Sequence, residues 1–164
     1  MFGGEGNDTY LVHSTLSTYI VDHGTSTEDM LSIYDETYDN LHFVFNVDST
    51  GAIDGNTMKV LNNANFELWQ ADMLDDSIKG ITISRDDLGG SWNAIENFED
   101  AGLGDECRSI TINAIDTMRA DIASWLAEEG YTDVADVFEN EKAEGDIDTL
   151  IAKFDITDQW HQAV

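Results

Sequence analysis

The chain has 164 residues, and its 34 acidic against 7 basic residues give a formal net charge of −27. Nucleic acids and anionic membranes need a basic surface, so this charge argues against both as partners. Hydrophobic residues make up 41% of the chain, which suits a folded core better than a disordered tail. We find no apolar run of transmembrane length and no N-terminal signal peptide, and therefore expect neither membrane insertion nor a cleaved leader.

The excess of carboxylates has two compatible interpretations. They can be the surface of a protein adapted to a salty habitat, where cations offset the self-repulsion. They can also form sites for a hard divalent cation, which prefers carboxylate and carbonyl oxygens. The single cysteine, Cys107, rules out an internal disulfide and a thiolate zinc cluster.

The first motif is GGEGNDTYL at residues 3–11. It matches every fixed position of the nonapeptide G-G-x-G-x-D-x-U-x, a calcium-binding repeat in which U is a large apolar residue. Its glycines allow a turn with positive φ that brings carbonyl oxygens around an ion. Tyr10 occupies the U position and is expected to start a strand with its side chain inside. We predict that Asp8 binds calcium through its carboxylate and that Gly3, Glu5 and Gly6 do so through their backbone carbonyls.

A degenerate second copy follows in GTSTEDMLS, residues 24–32. Gly24 is first, Asp29 sixth and Leu31 eighth, but the second and third glycines are missing. We interpret it as a capping turn that completes the calcium site through Gly24 and Asp29, with Glu28 as a further candidate. The alternative interpretation is an ordinary polar hairpin loop.

Residues 2–45 resemble the end of a repeats-in-toxin (haemolysin-type calcium-binding) array. The resemblance lies in the GGEGNDTY turn, in YIVD at residues 19–22 and in the loop 24–31. It implies a parallel β-roll ordered by calcium and an uncleaved C-terminal secretion signal. It also implies that the segment ends a longer toxin, enzyme or adhesin. Since one good repeat stands in place of a long array, we expect the chain to start inside a larger protein.

The middle of the chain is predicted to be rich in strands. Short β-branched or aromatic runs indicate them: DMLSIY, LHFVFNV, TMKVLN, FELWQ and KGITIS. In LHFVFNV, alternation places residues 41, 43, 45 and 47 on one face. The short spacings favour an antiparallel meander or small sandwich. WNAIENFED, residues 92–100, is ambiguous between helix and strand, and the resemblance favours a strand-like edge.

From residue 109 onward the apolar period becomes helical. One face of the first helix carries Ile115, Met118, Ile122, Trp125 and Leu126. Gly130 is placed to end that helix. Thr132 can cap a second helix with Val134, Val137 and Phe138 inward, and Asp148 is a candidate cap for a third. We expect these faces to form a packed core; the alternative is a binding groove.

Together these patterns predict an α+β fold in three parts. Residues 1–36 would form the terminal calcium-binding repeat turn and capping strands of a short β-roll. Residues 37–106 would form a β-rich body, and residues 107–164 a C-terminal block of two to three helices.

No catalytic site is predicted. With 34 acids in the chain, adjacent carboxylate pairs arise by chance and receive no acid/base role. No G-x-S-x-G nucleophile motif or phosphate-binding loop is present, and Cys107 is interpreted as an inert thiol. DLGGSWN and EDAGLGDE combine glycine with aspartate as calcium loops do, but they match no calcium consensus.

The resulting expectation is a non-catalytic, calcium-binding C-terminal module of a type I secreted bacterial protein. It would act outside the cell or at its surface, fold on calcium binding, and carry or flank the signal read by the type I secretion apparatus. The alternative is a calcium-stabilised, adhesin-type module that recognises glycan or peptide through exposed aromatics such as Trp69 or Trp92. An enzyme with unrecognised catalytic residues is the third possibility.

Overall fold

The structure is a computed structural model that describes residues 1–85, 94–101, 106–140 and 145–163. The strands are β1 (Thr9–Val12), β2 (Thr18–Asp22), β3 (Met30–Ile33), β4 (His42–Val44), β5 (Thr57–Leu61), β6 (Ile81–Arg85), β7 (Asn97–Asp100), β8 (Arg108–Thr111) and β9 (His161–Gln162). The helices are α1 (Asn63–Ala71), α2 (Ile112–Glu129), α3 (Val134–Asn140) and α4 (Asp146–Lys153). The predicted α+β class is confirmed. Within the described ranges, no helix combines the length and apolar character that a membrane span needs.

The strands form two mixed sheets. One has the order β1-β3-β7-β8-β9 and the other β2-β6-β5-β4. The pairs β1–β3, β3–β7 and β2–β6 are parallel, and the remaining pairs are antiparallel. Strands β4, β5 and β6 pair antiparallel, as the meander predicted for the middle of the chain requires. The same prediction is wrong for β3, which pairs in parallel with β1 and β7 because it belongs to the other sheet.

The first 33 residues wind as a coil through both sheets. Thr9 pairs with Met30, which lies 21 residues further on, so one full turn brings the chain back beside itself. Tyr10 is buried at 6% exposure, as predicted, whereas Leu11 on the opposite face of the strand is 59% exposed. This inside–outside alternation matches the two-residue period of a strand.

The segment FELWQ, expected to be a strand, lies in helix α1. Asn62 caps this helix, since its side chain accepts a hydrogen bond from the Asn65 backbone N–H at 3.1 Å. Phe66 and Trp69, three residues apart, are the buried residues of the helix. Trp69 is only 1% exposed, so it is not the surface aromatic that the sequence suggested.

The ambiguous segment before residue 100 contains strand β7. Phe98 and Asp100 are buried on alternate positions, as a strand requires. Because β7 pairs with β3 on one side and β8 on the other, it lies inside its sheet and not at an edge.

Helix α2 buries the predicted face except at Trp125, which is only partly buried. It ends at Gly130, whose φ of 82° is the left-handed conformation that glycine adopts without strain.

The caps predicted for the two following helices, Thr132 and Asp148, are wrong. Asp133, not Thr132, precedes α3 and accepts from the Asp136 N–H at 2.8 Å. Helix α4 begins at Asp146, so Asp148 lies inside its first turn.

Aromatic contacts join the helices to the strands. Trp69 of α1 lies 5.2 Å from the Phe154 ring at the end of α4 and 5.9 Å from the Phe138 ring of α3. Phe154 also contacts Phe45, just after β4, at 5.7 Å. One cluster of buried apolar residues includes all of these regions. The expected packed core is present, and the division at residues 36 and 106 stays a prediction.

Candidate metal centre

Two turns stack at the start of the coil. The first covers residues 3–8 and leads into β1; the second covers residues 22–29 and leads from β2 into β3. The Gly3 N–H donates to the Val21 carbonyl at 2.9 Å, and the Met30 N–H donates to the Asp8 carbonyl at 2.9 Å. Since β2 and β3 belong to different sheets, the second turn is not the hairpin loop of the alternative interpretation.

Two of the motif glycines lie where a side chain would collide. A Cβ at Gly3 would lie 1.9 Å from the Tyr10 hydroxyl oxygen and 2.1 Å from Asp22 Oδ2. A Cβ at Gly24 would lie 2.1 Å from the Gly4 carbonyl oxygen. Gly6 has a φ of 112°, which an L side chain strains to adopt. The glycine pattern of the motif therefore has two causes. The two turns approach too closely for side chains at Gly3 and Gly24, and Gly6 adopts a positive φ.

Three carboxylates converge between these turns. Asp8, Asp22 and Asp29 each offer one oxygen, and the three oxygens lie within 4.8 Å of one another. Asp22 and Asp29 are 2% and 1% exposed, and Asp8 is partly exposed. Calcium binds oxygen at roughly 2.3–2.6 Å, so ligands on opposite sides of one ion are about 4.6–5.2 Å apart. The spacing of the three oxygens suits a shared ion of this size.

Hydrogen bonds fix the side chains of Asp8 and Asp22. The Gly4 N–H donates to Asp8 Oδ2 at 3.0 Å, and the Gly24 N–H donates to Asp22 Oδ1 at 2.7 Å. The buried Tyr10 hydroxyl donates to Asp22 Oδ2 at 2.5 Å. Because a carboxylate oxygen can accept more than one contact, these bonds orient the aspartates and leave them able to bind a cation.

A row of acids runs across the ends of three parallel strands. Asp8, Asp29 and Glu96 each directly precede a strand, and the strand residues that follow them are paired in register. The Asp8 N–H donates to Asp29 Oδ1 at 2.8 Å, and the Asp29 N–H donates to Glu96 Oε2 at 3.0 Å. Each acid thus ties its own turn to the neighbouring strand.

Among the side chains that the structure describes, which do not include that of Arg85, no lysine, arginine or histidine forms an ion pair with Asp8, Asp22 or Asp29. Burial raises the pKa of Asp29, and the charges of Asp22 and Asp8 add to the effect. Burial likewise raises the pKa of Glu96, with a contribution from Asp29. Without a cation, the folded coil therefore disfavours the charged state of both acids.

The structure places some of the predicted residues in the carboxylate cluster and others outside it. Asp8 and Asp29 meet in the cluster, and Gly3 and Gly24 adjoin Asp22. The carbonyl ligands predicted at Gly3, Glu5 and Gly6 stay a prediction. The side chain of Glu5 accepts from the Thr25 hydroxyl at 3.1 Å, and Glu28 accepts from Asn7 Nδ2 at 2.7 Å. Both carboxylates thus join the turns outside the cluster.

Asp22 was not among the predicted ligands. It ends the apolar strand β2, whose YIVD sequence enters the prediction only as part of the resemblance. A signal is nevertheless present in the sequence, because alternation places Asp22 on the same face as the buried Ile20. An inward-facing aspartate beside a glycine turn is expensive unless it has a partner.

Outside the Asp8–Asp22–Asp29 cluster, no further group of metal-binding side chains occurs among the described residues. DLGGSWN, which includes Trp92, lies outside the described residues, and only residues 99–101 and 106 of EDAGLGDE are described. Burial raises the pKa of the Cys107 thiol, and Glu99, which accepts from its Sγ at 3.4 Å, raises it further. This is the opposite of the shift that activates a nucleophilic cysteine.

Comparisons with protein families, with curated proteins and with solved structures find no match to this chain. The chemistry of the Asp8–Asp22–Asp29 cluster is therefore the main guide to function.

The stacking of the turns can be tested with a pair of glycine variants. Gly24→Ala places a methyl group against the Gly4 carbonyl, whereas a methyl group at Gly4 itself meets nothing within 4 Å. We expect Gly24→Ala to lower the free energy of unfolding by about 1–3 kcal/mol, the usual cost of overpacking. Gly4→Ala should change it little. Urea denaturation measures both, and equal effects of the two variants would contradict the close approach.

The raised pKa values predict how stability depends on pH without metal. An acid whose pKa is higher in the folded state stabilises fully below its unfolded pKa, and that stabilisation is lost as pH rises through the folded pKa. For Asp29 and Glu96 the loss begins near the ordinary values of 3.8 and 4.5. In chelator, Asp29→Asn should therefore become increasingly stable relative to the parent as pH rises. The control variant Asp158→Asn, which changes an exposed residue, should show no such trend relative to the parent. Urea denaturation of both variants and the parent at several pH values distinguishes the two outcomes. A constant difference between Asp29→Asn and the parent would contradict the prediction.

Proposed function

We propose that this chain is a non-catalytic calcium-binding module whose N-terminal coil is completed by an ion held by Asp8, Asp22 and Asp29. The observation that carries the proposal is the convergence of these carboxylates from two stacked turns within 4.8 Å, without an ion-pairing cation among the side chains that the structure describes. The close approaches at Gly3 and Gly24 bring the turns near enough to share an ion.

The donor set favours calcium among the common ions. All three side chains offer hard oxygen ligands, whereas zinc and copper sites favour histidine or cysteine. Magnesium needs near-ideal octahedral geometry at roughly 2.0–2.1 Å and usually keeps several waters. Two carboxylates that are almost fully buried suit calcium better, because it sheds water more readily and tolerates irregular geometry.

Binding of this kind would be coupled to folding. Without the ion, repulsion among the acids opposes the approach of the two turns; with it, the binding free energy contributes to folding. Weak extracellular calcium modules have dissociation constants on the order of 10⁻⁴–10⁻³ M. At such an affinity, the coil would stay open where calcium is scarce and close where it is plentiful.

The resemblance of residues 3–10 to a repeats-in-toxin turn extends the proposal to the biological setting. The chain would be the C-terminal module of a bacterial protein exported by a type I apparatus, and it would carry or flank the secretion signal. Calcium outside the cell would then complete its folding after export. The absence of proline removes a slow isomerisation step from that process.

Calcium titration of metal-stripped protein tests the proposal. Far-UV circular dichroism and tryptophan emission should show a gain of structure with calcium, and not with magnesium or sodium chloride. Asp8→Asn and Asp22→Asn should each raise the calcium midpoint by at least about tenfold, since even the outer partners of metal ligands are worth roughly 10–100-fold in affinity.

The matched control is Asp158→Asn, which removes the same charge from an exposed position. Its calcium midpoint should equal that of the parent. If sodium chloride alone produces the same gain of structure, or if the two cluster variants keep the parent midpoint, the acids are a salt-adapted surface and the proposal fails.

A further inference from the structure

The hydroxyl of Tyr10 is a group that the calcium-binding pattern does not require. The nonapeptide needs only a large apolar residue at this position, and the Tyr10 ring meets that need as part of the buried core. The hydroxyl adds a polar group to a side chain that is 6% exposed. Because a buried hydroxyl is costly unless it forms a hydrogen bond, its partner indicates its role.

That partner is Asp22, which is 2% exposed. The Tyr10 hydroxyl donates to Asp22 Oδ2 at 2.5 Å, a length typical of the strong bonds that hydroxyl groups form with carboxylates, roughly 2.5–2.7 Å. Burial raises the pKa of Tyr10, and the hydrogen bond to Asp22 raises it further. The phenol therefore keeps its proton and remains a donor wherever the aspartates are charged.

Both oxygens of Asp22 are held, each from a different part of the coil. The Gly24 N–H donates to Oδ1 at 2.7 Å from the second turn. The Tyr10 hydroxyl reaches Oδ2 from β1, which belongs to the other sheet. A carboxylate with a donor on each oxygen cannot rotate about its Cβ–Cγ bond without breaking one of the two bonds. Asp22 therefore offers its remaining lone pairs in fixed directions.

The first glycine of the motif leaves the space for this pair. A Cβ at Gly3 would lie 1.9 Å from the Tyr10 hydroxyl oxygen and 2.1 Å from Asp22 Oδ2. The missing side chain at Gly3 and the hydroxyl of Tyr10 thus serve the same carboxylate. The local sequence is adapted to the orientation of Asp22 as well as to its charge.

We propose that Tyr10 is a positioning residue that makes the Asp8–Asp22–Asp29 cluster selective for an ion of the size of calcium. This inference rests on the proposed calcium-binding function. Selectivity among hard cations depends on the size and the flexibility of the set of ligands. While Tyr10 holds Asp22, the oxygens keep one spacing. Without that bond Asp22 turns, and the cluster adapts to a larger ion such as strontium.

The test is the variant Tyr10→Phe, which keeps the ring and removes the hydroxyl. Metal-stripped protein is titrated with calcium chloride and separately with strontium chloride at matched ionic strength, and far-UV circular dichroism follows both. The calcium midpoint should rise by about tenfold, the usual loss when an outer partner of a metal ligand is removed. The strontium midpoint should rise less, so that the ratio of the strontium to the calcium midpoint falls.

The matched control is Tyr19→Phe, which removes the same group from a side chain that is 53% exposed. Both of its midpoints should equal those of the parent. If Tyr10→Phe does not fold in saturating calcium, Tyr10→Leu takes its place with the same expectation, since it also keeps an apolar residue and lacks the hydroxyl.

The ratio of midpoints separates positioning from stability. If the hydroxyl only stabilised the coil, its loss would lower the folded fraction and weaken the apparent affinity for both ions by the same factor. A ratio equal to that of the parent therefore overturns this inference and leaves the calcium proposal standing. A parent that responds to neither ion overturns both.

Discussion

Repulsion among three closely spaced carboxylates is the constraint on which the N-terminal half of this molecule depends. Asp8 and Asp29 precede two parallel strands, and Asp22 ends a strand of the other sheet. The cluster therefore lies where the chain passes between sheets. An arrangement that brings like charges into a nearly dry interior is stable only if something balances them. A bound cation would do so and would join the turns in the same step.

The row of acidic residues extends beyond the first coil. Glu96 continues the row of acids to β7, which pairs with β8 and leads toward the helices. The aromatic cluster around Trp69 and Phe154 belongs to another part of the core and includes no carboxylate. Burial of apolar surface stabilises both regions, since Tyr10, Ile20 and Leu31 of the coil belong to the same core, and the carboxylate cluster adds an electrostatic constraint in the coil alone. We accordingly expect removal of the proposed ion to loosen the coil before the helices.

The sequence was informative where a local rule decides the structure. The helical face of α2 and its end at Gly130 follow from apolar period and glycine conformation, and both could be predicted. The motif glycines and Asp8 followed from a nonapeptide pattern. FELWQ was mistaken for a strand because its aromatic content outweighed the capping signal of Asn62.

Features set by distant partners could not be predicted in the same way. The parallel pairing of β2 with β6 joins residues more than sixty positions apart, and no local pattern encodes it. Asp22 was missed for a related reason, since its role follows from Tyr10 and Gly3 folding onto it. Residues 41, 43, 45 and 47 are buried as expected, but Val44 on the opposite face is buried as well.

The most direct measurement is amide hydrogen exchange with calcium and in chelator, at matched ionic strength. The account predicts that calcium slows exchange most at Gly4, Asp8, Gly24 and Met30, the amides that form hydrogen bonds within and between the two turns. Amides within α2 should change far less. Equal protection of the turn amides in the two conditions, or a change spread evenly over the chain, would contradict a cation that completes the coil.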